Sequence, residues 1–422
     1  MTGLSPSQDA ATGSDRPGLG AGSAVGPAPL KVALLTGGAD KPYALGMAST
    51  LASQGVSVEF IGSDQIDGPE LHRSPLIRFL NLRGDQRRGA SRWRKASRVF
   101  LYYIRLILYA AAAEPEIFHI LWNNKWELFD RTLLMLYYRC LGRRIVFTAH
   151  NVNAGKRDGR DSLLNRLTLR MQYRLCGRIF VHTQKMKAEL LDDFGVADER
   201  VTVIPFPVNN AVPRTGLTGP EARLQLGLKP GDKALLFFGN ITPYKGLDQL
   251  IAAFDELARR DAAYTLIVAG PVKDCADYWS QVRRAIDASP GRERILLRAE
   301  YVADPDVELY FKAADVLILP YTHIFQSGVL FLGYGFGLPV IATDVGSLRE
   351  EIVEGETGYV CRPQDPRDLA RAVEKYFSSD LHRDLADRRV KIQAYANEHY
   401  SWAAVGDETR SAYRFVTGQG GS

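Results

Sequence analysis

A lysine between a strand and a helix is the first residue in this chain whose type and setting suggest chemistry. In FFGNITPYKG (237–246) an apolar run ends at Gly239–Asn240, Pro243 makes a turn, and Lys245–Gly246 open a helical stretch. On the carboxyl edge of a parallel sheet such a lysine can meet a phosphate. An ordinary solvated lysine beside a turn glycine fits the same residues. The second candidate is HIFQSGVLFLGYGFGLPVIATDVG (323–346), where Ser327–Gly328 precede an apolar helical run that Gly337 ends, with Pro339 just beyond. Gly328 would let backbone amides approach an anion, and the helix dipole would favour a diphosphate there. Ser327 as a plain N-cap, with Gly333 and Gly335 as packing glycines, is the alternative. His150 in TAHNVNAGK (148–156) follows an apolar strand and is expected at the mouth of a cleft. Gly37–Gly38 in LTGGADKPYALG (35–46) leave room for a ligand against the backbone, or simply make a tight turn.

A fifth feature is electrostatic. Arg83, Arg87, Arg88, Arg92, Arg94, Lys95 and Arg98 crowd one stretch against only Asp85, with Trp93 in their midst, and the apolar run Val99 to Ala113 follows. A cationic, aromatic-bearing segment leading into such a run is what a surface seeking anionic lipid looks like; a mobile solvated loop is the alternative. Nucleic acid would also be attracted, but it is not the expected partner. Asp304-Pro305-Asp306 matches a metal-holding D-x-D, yet Asp304 as N-cap and Pro305 at N1 explain it as a helix start. No H-E-x-x-H, G-x-S-x-G or P-loop pattern occurs.

The elements that must position these residues alternate. KVALLT (31–36), VEFIG (58–62), IFHIL (117–121), RIVFT (144–148), RIFVH (178–182) and VTVI (201–204) read as strands buried on both faces, with helices at Leu128–Leu141, Leu163–Cys176 and Lys185–Phe194 between them. The pattern breaks at FPVNNAVPRTGLTGP (206–220). It resumes with ALLFF (234–238), TLIVA (265–269), ILLR (295–298), VLIL (316–319) and VIAT (340–343). Two Rossmann-like, doubly wound α/β domains facing a cleft are expected, spanning 30–208 and 209–399, with a closing helix (400–417) completing the first and a disordered tail over 1–29. The 422 residues allow this, and the composition excludes fibrous or wholly disordered classes. Four scattered cysteines and no run long enough to span a bilayer lead to the expectation of a cytoplasmic protein, peripheral to the membrane at most. The net charge of +5 is uneven: residues 31–210 carry 27 basic and 17 acidic side chains, residues 211–422 carry 25 and 29.

Taken together, FFGNITPYKGLDQLIAAF (237–254), LYFKAADVLILPY (309–321) and GLPVIATDVGSLREEIVEGETGYV (337–360) resemble the group 1 glycosyltransferases, the retaining family 4 enzymes with the two-domain GT-B fold. The resemblance implies a C-terminal domain holding a nucleotide-diphosphate sugar, an N-terminal domain holding the acceptor, and no metal or other cofactor. It implies that Lys245 contacts the diphosphate, that Ser327 and Gly328 present amides to it, that His150 stands on the acceptor side of the reacting sugar, and that Gly37 and Gly38 form the acceptor-side loop. It further implies transfer of a hexose, with retention, to a lipid-linked or polysaccharide acceptor of the cell-envelope type.

Two departures stand out. The family's glycine–arginine pair is Gly239–Asn240 here, and its two glutamates fall on Ile324 and Leu332. Either Gln326 and nearby backbone take over ribose binding, or the donor is held differently, or the chain is no longer catalytic; a divergent but active member is expected. A non-catalytic sugar-nucleotide or glycan-binding protein, and a sugar-nucleotide epimerase on the same fold, are the alternatives these departures raise.

Overall fold

The computed structural model describes residues 30–38, 40–86, 91–157, 161–208, 212–273 and 275–419, apart from the side chains of Arg92 and Arg157. The expected tail (1–29) and the basic residues Arg87 and Arg88 lie outside them.

Two wholly parallel sheets form, as near-continuous apolar strands require when helices must cover both faces. The first contains β1 (Lys31–Leu35), β2 (Ser57–Gly62), β3 (Ile77–Asn81), β4 (Ile117–Ile120), β5 (Arg144–Thr148), β6 (Arg178–Val181) and β7 (Val201–Val203), in the order β3-β2-β1-β4-β5-β6-β7. The second contains β8 (Lys233–Phe238), β9 (Tyr264–Ala269), β10 (Ile295–Arg298), β11 (Val316–Leu319), β12 (Val340–Thr343) and β13 (Gly358–Cys361), in the order β10-β9-β8-β11-β12-β13. Strand order reverses beside β1 and β4 in one sheet and beside β8 and β11 in the other. A doubly wound sheet opens its crevice at the carboxyl ends of such strands. The helices that matter for the site are α1 (Lys41–Ser53), α2 (Arg92–Ala112), α3 (Leu163–Leu175), α4 (Gln184–Phe194), α5 (Leu247–Arg260), α6 (Asp304–Ala313), α7 (Gly328–Gly335) and α8 (Trp402–Thr417).

Some details differ from the sequence expectation. β3 and β13 are edge strands without a two-faced apolar run: β3 exposes Arg78 and Asn81, and β13 begins at Gly358, where a Cβ would overlap the Val340 carbonyl. The helix expected over Leu128–Leu141 contains a π-helical turn at Asp130–Leu134, and Asp130 is buried where it accepts from Asn124 Nδ2 and Tyr103 Oη, each at 3.1 Å. α6 starts one residue early, with Ala303 at the N-cap and Pro305 inside the first turn, where its missing N–H leaves no bond unmade.

α8 returns to the first sheet. Its Trp402 fills the space above Gly46 of α1, and Tyr413 Oη lies 2.6 Å from Nδ1 of the buried His119 on β4. The other ring nitrogen of His119 is 2.8 Å from Thr148 Oγ1, so this histidine is a satisfied core group. Across the cleft mouth, Lys185 of α4 donates to the Gly346 carbonyl at 2.5 Å and stands 3.7 Å from Glu350. Among the described residues, no helix is long and apolar enough to cross a membrane.

Candidate active site

The cleft wall of the second sheet is built from its switch point. After β8 the chain turns at Gly239 (φ +105), runs through a 3₁₀ turn at Pro243–Lys245, and enters α5 through Gly246 (φ +67). Gly246 packs so closely on the Pro320 carbonyl after β11 that a Cβ would overlap it. That contact brings the two loops together, and Lys245 Nζ donates to Tyr321 Oη at 2.7 Å, 4.3 Å from the ring centroid. Lys245 is 7% exposed, and among the described residues no carboxylate pairs with it. Burial therefore lowers its pKa to about 8.

Tyr321 Oη in turn lies 3.1 Å from Ser327 Oγ, itself buried. Ser327 is the N-cap of α7, but its hydroxyl makes no capping bond. Since Tyr321 accepts from Lys245, its own proton points to Ser327, and the serine hydroxyl is left to donate to a ligand at the helix N-terminus. Replacing Tyr321 with phenylalanine is expected to weaken nucleoside-diphosphate binding by about tenfold, the value of one buried hydrogen bond to a charged group. Isothermal calorimetry with a nucleoside diphosphate would measure it, and unchanged affinity would show that the hydroxyl relay has no part in binding.

The opposing wall comes from the first sheet. Gly37 and Gly38, both at positive φ, turn the chain after β1, and Gly37 packs on Trp122 after β4. The Trp122 ring stacks flat on His150 at 4.2 Å, while Tyr43 of α1 meets the His150 ring edge-on at 4.7 Å. His150 Nδ1 is 3.2 Å from His182 Nε2, and His150 Nε2 is enclosed with no hydrogen-bond partner among the described residues. Burial and the neighbouring histidines hold the His150 pKa well below its ordinary value. Phe206 joins the two walls: it stacks on Phe331 of α7 at 5.3 Å and meets His182 at 5.0 Å. A cavity of 260 Å³ lies between Asp40 and Tyr43 on one side and Gly328, Val329 and Leu332 on the other.

The structure thus gathers Lys245, Gly239, Ser327 and Gly328 on one wall and Gly37, Gly38 and His150 on the other. Asn240 is exposed at the rim. Gln326 does not line the cavity; its amide is buried near Glu351, whose carboxyl burial pushes up to about 7. Where the family pattern has its second glutamate, Leu332 presents an apolar wall at 8% exposure. Arg92, Trp93 and Arg94 start α2 on a separate surface, with Trp93 87% exposed. Tyr43, Trp122, His182, Phe206 and Tyr321 escaped the sequence reading. Of these only His182 had a signal: like His150, it ends an apolar strand. Among the described residues, no group of three or more His, Cys, Asp or Glu is placed to hold a metal ion.

Two parallel α/β sheets facing each other across such a cleft are the architecture of GT-B glycosyltransferases. Among solved structures, sucrose-phosphate synthase from Thermosynechococcus elongatus superposes with a TM-score of 0.73 at 18% identity, over 92% of this chain and 99% of that one. HepE from Anabaena, in complex with UDP and glucose, does so with 0.68 at 18% identity, over 90% and 98%. The family described as "Glycosyltransferase Family 4" matches residues 41–211, and "Glycosyl transferases group 1" matches residues 232–379. D-inositol 3-phosphate glycosyltransferase of Corynebacterium efficiens is 24% identical over 392 residues, 89% of this chain and 90% of its own length. The chain belongs to the group 1, family 4-type glycosyltransferases, with one family match on each domain.

Proposed function

We propose that the cleft transfers a hexose from a nucleotide-diphosphate sugar, with retention and without a metal, to a lipid-linked or polysaccharide acceptor. The observation that carries this is Lys245: a buried cation with no carboxylate partner among the described residues, joined through Tyr321 to the uncapped N-terminus of α7. Such a site is electrostatically incomplete until an anion enters, and a diphosphate supplies two negative groups at that spot. An acceptor hydroxyl would attack the anomeric carbon as its bond to the diphosphate oxygen breaks. Lys245 and the helix amides would stabilise the leaving charge, and the leaving oxygen would take the acceptor proton. The UDP and glucose held by HepE support a nucleotide-sugar as donor. Incubation of the purified protein with a panel of nucleotide-sugars and membrane lipid extract, with EDTA present, tests the reading. Transfer to give a product of unchanged anomeric configuration by proton NMR is expected; no transfer or donor hydrolysis with any donor would defeat it.

The surface of α2 supports an acceptor held at a membrane. Tyr102, Tyr103, Leu106 and Ala110 pack into the core, while Trp93, Phe100, Ile104 and Leu108 stand exposed on another face, next to Arg94 and Lys95 in sequence. Leu163, Leu164 and Leu167 of α3 add to the exposed apolar side chains of this domain. Apolar side chains flanked by cations suit an anionic bilayer surface, each cation contributing about 1 kcal/mol near the headgroups. Replacing Arg87, Arg88, Arg92 and Arg94 with glutamine is expected to reduce binding to phosphatidylglycerol-containing vesicles by at least about tenfold. Unchanged cosedimentation would remove the membrane from this proposal.

A further inference from the structure

His182 was not among the candidate residues, yet it stands directly behind one of them. The β5–β6 register pairs Thr148 with Phe180, so His150 and His182 lie two residues beyond partnered positions and emerge side by side. His182 is buried, and its two ring nitrogens have different neighbours: Nδ1 is 3.3 Å from the Ile204 carbonyl oxygen, and Nε2 is 3.2 Å from His150 Nδ1. A carbonyl oxygen only accepts, so Nδ1 of His182 must carry the proton. In a neutral ring Nε2 is then an acceptor, and it can be satisfied only by a proton on His150 Nδ1. The remaining nitrogen, His150 Nε2, is left as a bare lone pair, and among the described residues it finds no hydrogen-bond partner.

We propose that His182 is a positioning residue: through the Ile204 carbonyl it fixes His150 as the Nδ1–H tautomer, so that Nε2 accepts a hydrogen bond from a sugar hydroxyl in the cleft. The stack on Trp122 and the edge of Tyr43 hold the ring plane, while the hydrogen bond to His182 sets which nitrogen bears the proton. Burial among Tyr43 and Phe206 keeps His182 uncharged, its pKa lowered to about 4, so the direction of the chain is maintained at neutral pH. The chemical consequence is selective. An acceptor nitrogen takes a hydroxyl group and repels a phosphate oxygen, which separates the sugar end of the cleft from the diphosphate end at Lys245. This role rests on the cleft being the transfer site; the tautomer does not.

The test therefore has two parts. Two-bond nitrogen–proton correlation spectra of the full-length protein labelled with ¹⁵N-histidine, with His150 assigned from a His150→Gln variant, report the tautomer directly. A pyrrole-type Nδ1 and a pyridine-type Nε2 on His150 are expected, and the reverse pattern or an averaged ring would overturn the proposal. His182→Leu, which removes the acceptor at similar volume, should mix the His150 tautomers and lower kcat by about 10- to 100-fold while leaving nucleoside-diphosphate affinity unchanged. His182→Gln, whose Oε1 can replace Nε2 as acceptor, should recover most of that loss. If His182→Leu keeps both the tautomer and the rate, His182 has no positioning role. If the wild-type tautomer is as expected but no donor is turned over, the transfer reading fails and the tautomer lock stands.

Discussion

Replacing Lys245 with methionine is expected to lower kcat/KM by about 10²–10³-fold, the magnitude seen when one preorganised donor to a developing charge is removed. Methionine keeps most of the buried stem volume, so the loss would report charge rather than packing. The same residue gives the reaction a pH dependence with a definite sign. Lys245 must be protonated to hold a diphosphate, and its pKa in the empty cleft is lowered to about 8 by burial. Donor affinity should therefore fall as pH rises above about 8, and the bound anion should move that fall to higher pH. Folding carries the opposite slope. The unfolded lysine keeps its proton to about pH 10.4, so between about 8 and 10.4 the unfolded state binds more protons and stability rises with pH. The methionine variant should lose this rise, and it should be the more stable protein at pH 7 when no donor is present. Thermal melts from pH 7 to 10, with and without nucleoside diphosphate, would show both slopes. A Lys245→Met enzyme with unchanged kcat/KM would remove this residue from the chemistry.

The second large effect belongs to a residue that touches nothing reactive. Gly246→Ala is expected to destabilise the fold by about 3 kcal/mol and to disable the site in the molecules that remain folded. One part of the cost is conformational, because Gly246 has φ +67. The other is steric: a Cβ would overlap the Pro320 carbonyl, and Pro320 is bonded to the tyrosine that holds Lys245. Relief of the overlap must move one of the two loops, so the Lys245–Tyr321 hydrogen bond would be lost with it. Gly227→Ala is the control, since Gly227 has φ +73 and open space where its Cβ would go. It should cost only about 1 kcal/mol. Equal losses for the two variants in urea denaturation would show that the contact with Pro320 is not what holds the loops together.

Much of the architecture was legible because its signals are local. A strand buried on both faces reads as an unbroken apolar run, and β1, β8 and β11 could be placed to within a residue or so on that basis. α8 was equally plain from its amphipathic pattern. β3 and β13 were not, because an edge strand needs only one apolar neighbour and can carry an arginine or begin with a glycine. The π-helical turn at Asp130 was hidden for a related reason: it goes with the burial of a carboxylate against Asn124, in the loop before the helix, and Tyr103, which is 27 residues away in sequence.

The same division runs through the site. Lys245, Ser327–Gly328, His150 and Gly37–Gly38 announce themselves by residue type at strand ends and helix starts, and the family resemblance supplies their expected roles. The sequence by itself therefore determined the fold class, the family and the two walls of the cleft, because each rests on short-range patterns. What each side chain does on its wall was decided only by the tertiary structure. Tyr321 meets Lys245 across 76 residues of chain and His182 meets His150 across 32, and neither pair exists until parallel strands set their register. Gln326, expected to serve the ribose, is buried beside Glu351, and Leu332 leaves an apolar wall in the cavity. Proton direction, counter-charge and the lining of a cavity are properties of neighbours in space, and linear order says nothing of them until the chain has packed.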